Sequence, residues 1–267
     1  KWPAAPAMAA ALLLTPTAIL TIMEGQSGFL AAGLLVGGIR RAKARPVLGG
    51  ILLGLLTYKP QLGPLVPLAL LAAGWWRCAA SASLTTVALV TLSSAAFGWA
   101  IWPVWIGSLP GYQAWFSDLK NTRLMPTVSV SLGVLGVPPI VAEPIQWSAA
   151  AVAAATTWRC FRDGCPTLAM AALVGATCLA NPHAFFYDLP MLDAAVVLLV
   201  TQRLRDGVNL ALPELLLFLA VLLFPSLMVI ITMPLGPLIL GLFVARLTAL
   251  QSQHRARAAV TSGSLAS

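Results

Sequence analysis

The densest group of chemically capable side chains lies in residues 180–190, which read Ala-Asn-Pro-His-Ala-Phe-Phe-Tyr-Asp-Leu-Pro. His183 is one of only 2 histidines in the chain, and Tyr187 and Asp188 follow it closely. An imidazole or a carboxylate can take up a proton, and an imidazolium can neutralise an anionic ligand. Apolar runs flank the stretch on both sides, and polar groups between such runs are energetically costly. We therefore expect a binding or catalytic site here.

Two further polar groups interrupt apolar runs, Glu24-Gly25-Gln26 and Tyr58-Lys59-Pro60-Gln61. Lys59 lies at a helix break imposed by Pro60, and a phosphate-bearing ligand would supply the anionic partner that the apolar surroundings lack. With Asn181 these groups add a carboxylate, amides and a cation. The pattern predicts a site for a polar, anionic ligand.

Each of these side chains also has a purely structural explanation. Lys59 can extend its ammonium to a membrane interface, and His183 can bond a backbone carbonyl at that interface. Asp188 can cap the helix that follows it, and Glu24 and Gln26 can cap the helix that begins near residue 29. The sequence leaves both explanations open.

The composition sets the fold class. The chain has 267 residues, of which 59% are hydrophobic and 9% charged, and its net charge is +8. Soluble domains are about 45–50% apolar and about 25% charged. The sequence therefore predicts an all-α, polytopic transmembrane helical bundle. Its basic residues occur in small groups between apolar runs, which is typical of cytoplasmic loops in membrane proteins and not of a nucleic-acid-binding face.

A basic loop fixes the predicted topology. Residues 40–45 hold four cations, and placing them in the cytoplasm leaves only Lys59, Lys120 and Arg123 of the 16 lysines and arginines outside. All three polar groups then lie at the outer face of an inner, cytoplasmic membrane. We expect one membrane domain over residues 1–250 and a basic or disordered cytoplasmic tail over 251–267.

About 8–10 membrane segments are expected, with the count open around residues 128–145. Residues 47–74 predict two half-depth helices broken near Pro60, and residues 79–99 predict a full-length span. Residues 102–127, rich in Trp and Pro, predict an external loop on the interface. Asp193 falls inside an apolar run and needs a partner in the bundle or a wet cavity.

Several site classes are excluded. No phosphate-binding Walker loop, dinucleotide fingerprint, HExxH pair or nucleophile elbow occurs. Cys160 and Cys165 have no second Cys/His pair that would complete a zinc site. No metal or cofactor is predicted, and nothing in the sequence supports a divalent cation.

Three motifs follow one another in a recognisable order: Glu24-Gly25-Gln26-Ser27-Gly28, a glycine-rich run that ends in Lys59-Pro60-Gln61, and residues 181–189, Asn-Pro-His-Ala-Phe-Phe-Tyr-Asp-Leu. In this order they resemble glycosyltransferase family 87, whose members are polyprenyl-phosphate-sugar-dependent mannosyltransferases of the GT-C type. Asn181 stands where serine is commoner in that family. The resemblance covers roughly residues 20–205.

The resemblance implies transfer of a hexose, typically mannose, from a polyprenyl-phosphate donor to a lipid or glycan acceptor outside the membrane. Lys59 and His183 would bind the donor phosphate. The sugar pocket would comprise Glu24, Gln26, Gln61, Asn181, Tyr187 and Asp188. The family's catalytic carboxylate lies in a first external loop, N-terminal to Lys1, so the chain is expected to be the C-terminal portion of such an enzyme. His183 and Asp188 remain the candidate catalytic residues.

The residues alone also fit a secondary transporter or a lipid-handling membrane protein for an anionic or amphipathic substrate. Such transporters use broken helices and intramembrane charges too, although no inverted repeat is evident here. The sequence leaves the sugar, acceptor, linkage and oligomeric state open.

Overall fold

The structure, a computed structural model, describes residues 5–116, 125–162, 165–231 and 234–264. Within these ranges the chain forms thirteen α-helices and no strand, which confirms the all-α prediction. The helices are α1 (Ala5–Leu13), α2 (Pro16–Met23), α3 (Gly28–Ala42), α4 (Pro46–Leu55), α5 (Leu65–Ala72), α6 (Trp76–Phe97), α7 (Ile101–Phe116), α8 (Val128–Val134), α9 (Pro139–Arg162), α10 (Pro166–Ala180), α11 (Pro190–Arg205), α12 (Leu212–Ile231) and α13 (Gly236–Ser264).

The helix break at Pro60 is present as predicted. After α4 the chain makes two 3₁₀ turns, Leu56–Tyr58 and Pro60–Leu62, before α5 begins. A residue that precedes proline is pushed out of the helical region, and Lys59 accordingly has φ −124° and ψ 75°. The break therefore places Lys59 at a bend between two short helices.

Glycines hold α4 close to α6 and so fix the position of that bend. A Cβ atom on Gly50 would lie 2.5 Å from the carbonyl oxygen of Cys78, and one on Gly54 would lie 2.6 Å from that of Ala82. Any larger side chain would separate the two helices. At the end of α4, the hydroxyls of Thr57 and Thr86 are 2.9 Å apart.

The centre of the bundle is α10, whose residues from Leu168 to Leu179 are all buried. It packs against α3, α5, α9, α11 and α13. Small and aliphatic side chains cover the whole circumference of α10, as expected for a helix that is surrounded by other helices. The end of α10 places residues 180–190 at one end of the bundle.

The basic residues gather at the opposite end. Helices α3 and α11 begin near one another, where a Cβ atom on Gly28 would lie 3.1 Å from Pro190. Arg40 in the last turn of α3 and Arg205 at the end of α11 line the same cavity. Arg203 and Arg246 both approach the buried Glu214, at 3.2 and 3.7 Å. Within the described residues, then, one end of the bundle is strongly basic, and Lys59 lies at the other.

Only α6, in the described residues, is both long and apolar enough to cross a membrane, and it matches the span predicted over residues 79–99. Four shorter apolar helices accompany it, at Pro46–Tyr58, Pro60–Ala72, Pro166–Ala180 and Leu212–Met228. The count of 8–10 membrane segments and the domain boundaries stay predictions.

Two predicted segments are largely helical. The predicted external loop is helical from Ile101 to Phe116. Pro103 is compatible with this helix because it lies in the first turn of α7, where a helix needs no N–H donor. Lys120 and Arg123 lie outside the described residues. The basic or disordered cytoplasmic tail over residues 251–267 stays a prediction, and helix α13 continues to Ser264, so that residues 251–264 are helical. Propensity explains this, because much of that segment is alanine, glutamine and arginine.

Candidate functional site

Three turns meet at the end of the bundle opposite the arginines. They are the α2–α3 turn around Gly25, the bend at Lys59 and the segment between α10 and α11. The Tyr58 hydroxyl donates a hydrogen bond to the Ser27 carbonyl at 3.0 Å, which joins the first turn to the second. The structure thus brings together the three polar groups that the sequence singled out.

A buried ion pair joins the second turn to the third. The Lys59 Nζ atom lies 2.6 Å from Asp188 Oδ1, and the two side chains are 11% and 1% exposed. The other carboxylate oxygen of Asp188 accepts the Phe185 N–H at 3.3 Å. Burial raises the pKa of Asp188 above its usual value, and the adjacent Lys59 ammonium partly offsets this rise.

The aromatic ring of Tyr187 lies next to this ion pair. Lys59 Nζ lies 5.0 Å from the centre of the Tyr187 ring, within cation–π range. Tyr187 stacks on Phe185 with ring centres 5.0 Å apart. Burial, together with the negative charges of Asp188 and Glu24, raises the pKa of Tyr187 to about 12. Tyr187 therefore stays a protonated hydroxyl group at neutral pH.

Gly28, at the start of α3, makes the contact with this segment possible. A Cβ atom at that position would lie 1.9 Å from the Tyr187 carbonyl oxygen, so only glycine fits. The glycine of the first motif and the tyrosine of the third are thus in direct backbone contact.

Asn181 and His183 form a second polar pair. The Asn181 side-chain oxygen accepts the His183 backbone N–H at 2.9 Å, which shapes the turn after α10. Asn181 is 5% exposed, and its amide nitrogen Nδ2 has no hydrogen-bond partner among the described residues. His183 is half-buried, and burial lowers its pKa while Glu143 raises it by a smaller amount.

The remaining predicted residues lie in the first and second turns. Glu24 and Gln26 are exposed in the α2–α3 turn, where Gly25 has φ 62° and the Gln26 N–H bonds the Thr21 carbonyl. Gln61 is half-buried in the second 3₁₀ turn. Their assignment to a sugar pocket stays a prediction.

A family model decides the class of protein. The model of glycosyltransferase family 87 matches residues 1–182, more than half of the chain. The chain belongs to this family. Comparison with curated proteins and with solved structures gave no further match.

The protein is therefore a glycosyltransferase that acts on a sugar donor and an acceptor, and not the transporter that the residues alone also fitted. The match includes Glu24, Gln26, Lys59 and Gln61 and ends just before His183. Geometry connects the rest of the site to the matched region, because the Lys59–Asp188 pair crosses that boundary.

Gln146 supports the site of the glycosyltransferase, and sequence reasoning missed it. It is fully buried in α9, and its amide nitrogen donates to the carbonyls of Leu179 and Ala180 at 3.1 and 3.3 Å. Its oxygen accepts two backbone N–H groups at the start of α8. It therefore holds the end of α10 immediately before Asn181. A lone glutamine in an apolar run was the available signal.

Asp193 has a hydrogen-bond partner inside the bundle. Its Oδ2 atom accepts a hydrogen bond from the Thr15 hydroxyl at 2.6 Å, and its side chain is almost fully buried. Within the described ranges, no group of three His, Cys, Asp or Glu residues could hold a metal ion.

Proposed function

We propose that this glycosyltransferase moves a hexose, mannose by resemblance, from a polyprenyl-phosphate donor to a lipid or glycan acceptor at the outer face of the cytoplasmic membrane. The proposed site is the meeting point of the three turns. The observation that carries the proposal is the Lys59–Asp188 pair, a buried lysine whose ammonium has further hydrogens to donate. The buried amide of Asn181 lies in the same α10–α11 segment as Asp188.

The chemistry requires stabilisation of the leaving phosphate. The acceptor hydroxyl oxygen forms a bond to the anomeric carbon and its proton passes to water. The bond from that carbon to the phosphate oxygen breaks, and the electron pair stays on the phosphate. Cationic hydrogen-bond donors that face this oxygen lower the barrier. An ammonium has three donors, and Asp188 Oδ1 engages one of them. Lys59 can therefore bind a phosphate oxygen while Asp188 holds its side chain in place.

His183 would provide a second, adjustable donor. Burial lowers its pKa, so its imidazole is neutral at neutral pH when no ligand is present. A bound phosphate would favour the imidazolium, because an opposite charge nearby stabilises the charged form. Asn181 Nδ2, Tyr187, Gln61, Gln26 and Glu24 would then bind sugar hydroxyls.

In this proposal Asp188 is a positioning residue and not the base that accepts the acceptor's proton. Its side chain is 1% exposed and both carboxylate oxygens are engaged, by Lys59 and by the Phe185 N–H. An acceptor hydroxyl could reach it only by displacing one of these partners.

The basic end of the bundle would face the cytoplasm, which follows the excess of Lys and Arg in cytoplasmic loops. Helix α3 has 15 residues and is about 22 Å long, less than the ~30 Å hydrocarbon thickness. The three turns would then lie slightly below the outer interface, where a lipid phosphate can reach them.

The test uses membranes that carry the protein expressed from its complete reading frame, supplied with radiolabelled polyprenyl-phosphate-mannose. We expect Lys59→Ala and His183→Ala each to lower transfer to endogenous acceptors by about 100-fold, as for the loss of a donor to a developing anion. Matched controls are His254→Ala and Arg77→Ala, which change an exposed histidine and an exposed arginine away from the three turns. Wild-type membranes without transfer, or normal transfer in both site variants, would refute the proposal.

A further inference from the structure

A groove runs along one face of α3, from Phe29 and Pro190 next to the three turns to the arginines at the opposite end of the helix. Its volume is about 660 Å³, within the ~300–1,000 Å³ usual for ligand cavities. Phe29, Ala32, Gly33 and Val36 form its apolar wall. We name it the α3 groove.

The two ends of the α3 groove differ in charge. Arg40, Arg41 and Arg45 line one end, and Asp193 lines the other. None of these arginines forms an ion pair within the described part of the chain. Guanidinium groups bind phosphate oxygens through paired N–H donors, whereas the lining residues at the opposite end include no cation. An amphipathic anion would therefore bind with its head at the arginines and its apolar part toward Asp193.

The length of the groove fits a hydrocarbon chain of one leaflet. From Phe29 to Arg40 the helix rises about 16 Å, at ~1.5 Å per residue. Half of a ~30 Å hydrocarbon core is about 15 Å. The apolar wall thus extends about as far from the arginines as a lipid tail extends from its headgroup.

We propose that the α3 groove binds an anionic phospholipid, with the phosphate on Arg40, Arg41 and Arg45 and an acyl chain along Ala32, Gly33 and Val36. This inference rests on the membrane placement in the proposed function, but the lipid is a bound partner and not the sugar donor. A second cavity of about 330 Å³ shares Arg40 and adds Lys43 and Arg205. The positive surface therefore continues around the bound headgroup.

Gly33 offers a sharp test. It lies on the exposed face of α3, and a Cβ atom there would meet nothing within 4 Å. Gly33→Leu therefore fills the groove without disturbing the packing of α3. Gly241→Leu is the matched control, because Gly241 is also helical with open space at its Cβ position but lies outside the groove.

The protein is reconstituted in bilayers of equal parts phosphatidylglycerol and phosphatidylcholine, extracted gently and weighed by native mass spectrometry. We expect the wild type and Gly241→Leu to retain phosphatidylglycerol over phosphatidylcholine, and Gly33→Leu to retain about tenfold less, the effect of losing ~1.4 kcal/mol of contact. Arg41→Gln with Arg45→Gln should remove the preference for phosphatidylglycerol. Thermal unfolding of each variant establishes that it is folded.

The inference is overturned if the wild type retains no lipid, if it retains both lipids equally, or if Gly33→Leu retains as much as the wild type. Retention of inorganic phosphate at the arginines without any retained lipid would show a phosphate site only and also overturn it. Lys59→Ala should keep its phosphatidylglycerol while losing transfer. Failure of the lipid site is thereby separated from failure of the transfer site.

Discussion

Removing the charge of Lys59 should destabilise the protein in a way that depends on pH. The variant Lys59→Met keeps most of the side-chain volume and leaves Asp188 with 1% exposure and no cation. A lone carboxylate in that environment is unfavourable, so it takes up a proton and its pKa rises further.

Protonation of Asp188 limits the free-energy cost of removing the Lys59 charge. Taking an unfolded-state pKa of ~3.9 and ~1.36 kcal/mol per pH unit, holding Asp188 neutral at about pH 7 costs at most about 4 kcal/mol. At about pH 5 the same calculation gives about 1.5 kcal/mol. In Lys59→Met the pKa of Asp188 is higher in the folded state than in the unfolded state. The contribution of Asp188 to the stability of this variant is therefore fully present below the unfolded-state pKa and is lost as pH rises through the folded-state pKa.

The assay is the free energy of unfolding in detergent, measured at several values between about pH 5 and about pH 8. The deficit of Lys59→Met relative to wild type should shrink by at most about 3 kcal/mol as the pH falls from about 7 to about 5, because the raised pKa of Asp188 already gives the wild type part of this pH dependence. Asp188→Asn is the comparison, because its amide cannot ionise and the leftover Lys59, 11% exposed, can turn toward water. Its deficit should be smaller and vary little with pH. An equal deficit for Lys59→Met at both ends of the range would refute the buried pair as the cause.

Three further outcomes are expected. Gln146→Leu should lower the free energy of unfolding by about 2–4 kcal/mol, because it leaves buried backbone groups at two helix ends without hydrogen-bond partners. It should also reduce sugar transfer. Gln253→Leu, at an exposed position, should change neither the free energy of unfolding nor the transfer. Gly28→Ala should reduce transfer at least tenfold (about 1.4 kcal/mol), because the new methyl group displaces the Tyr187 carbonyl, and normal transfer in this variant would contradict the contact. Lowering the pH through the depressed pKa of His183 should tighten polyprenyl-phosphate binding in the wild type but not in His183→Gln, as measured by equilibrium binding.

The meeting of the three polar groups could be predicted, because basic loops orient the helices and so decide which turns share an end of the bundle. The helix break at Pro60 could likewise be predicted, since proline restricts the backbone conformation of the residue before it. Both predictions rest on local rules that tertiary packing did not override.

The partner of Lys59 could not be predicted in this way. The sequence suggested a ligand phosphate, whereas the structure supplies Asp188 at 2.6 Å. Pairing of side chains depends on the relative rotation and depth of helices, which composition does not encode. The role of Gln146 was missed for the same reason, because its four partners are backbone groups and carry no residue-type signal.

The Lys59–Asp188 pair also bears on how the chain is made. The two residues are 129 positions apart, and at ~5–20 residues per second a ribosome needs about 6–26 s to synthesise the intervening segment. During that interval Lys59 has been synthesised but its acidic partner has not. The bend that holds Lys59 can therefore reach its final packing only after Asp188 has been made.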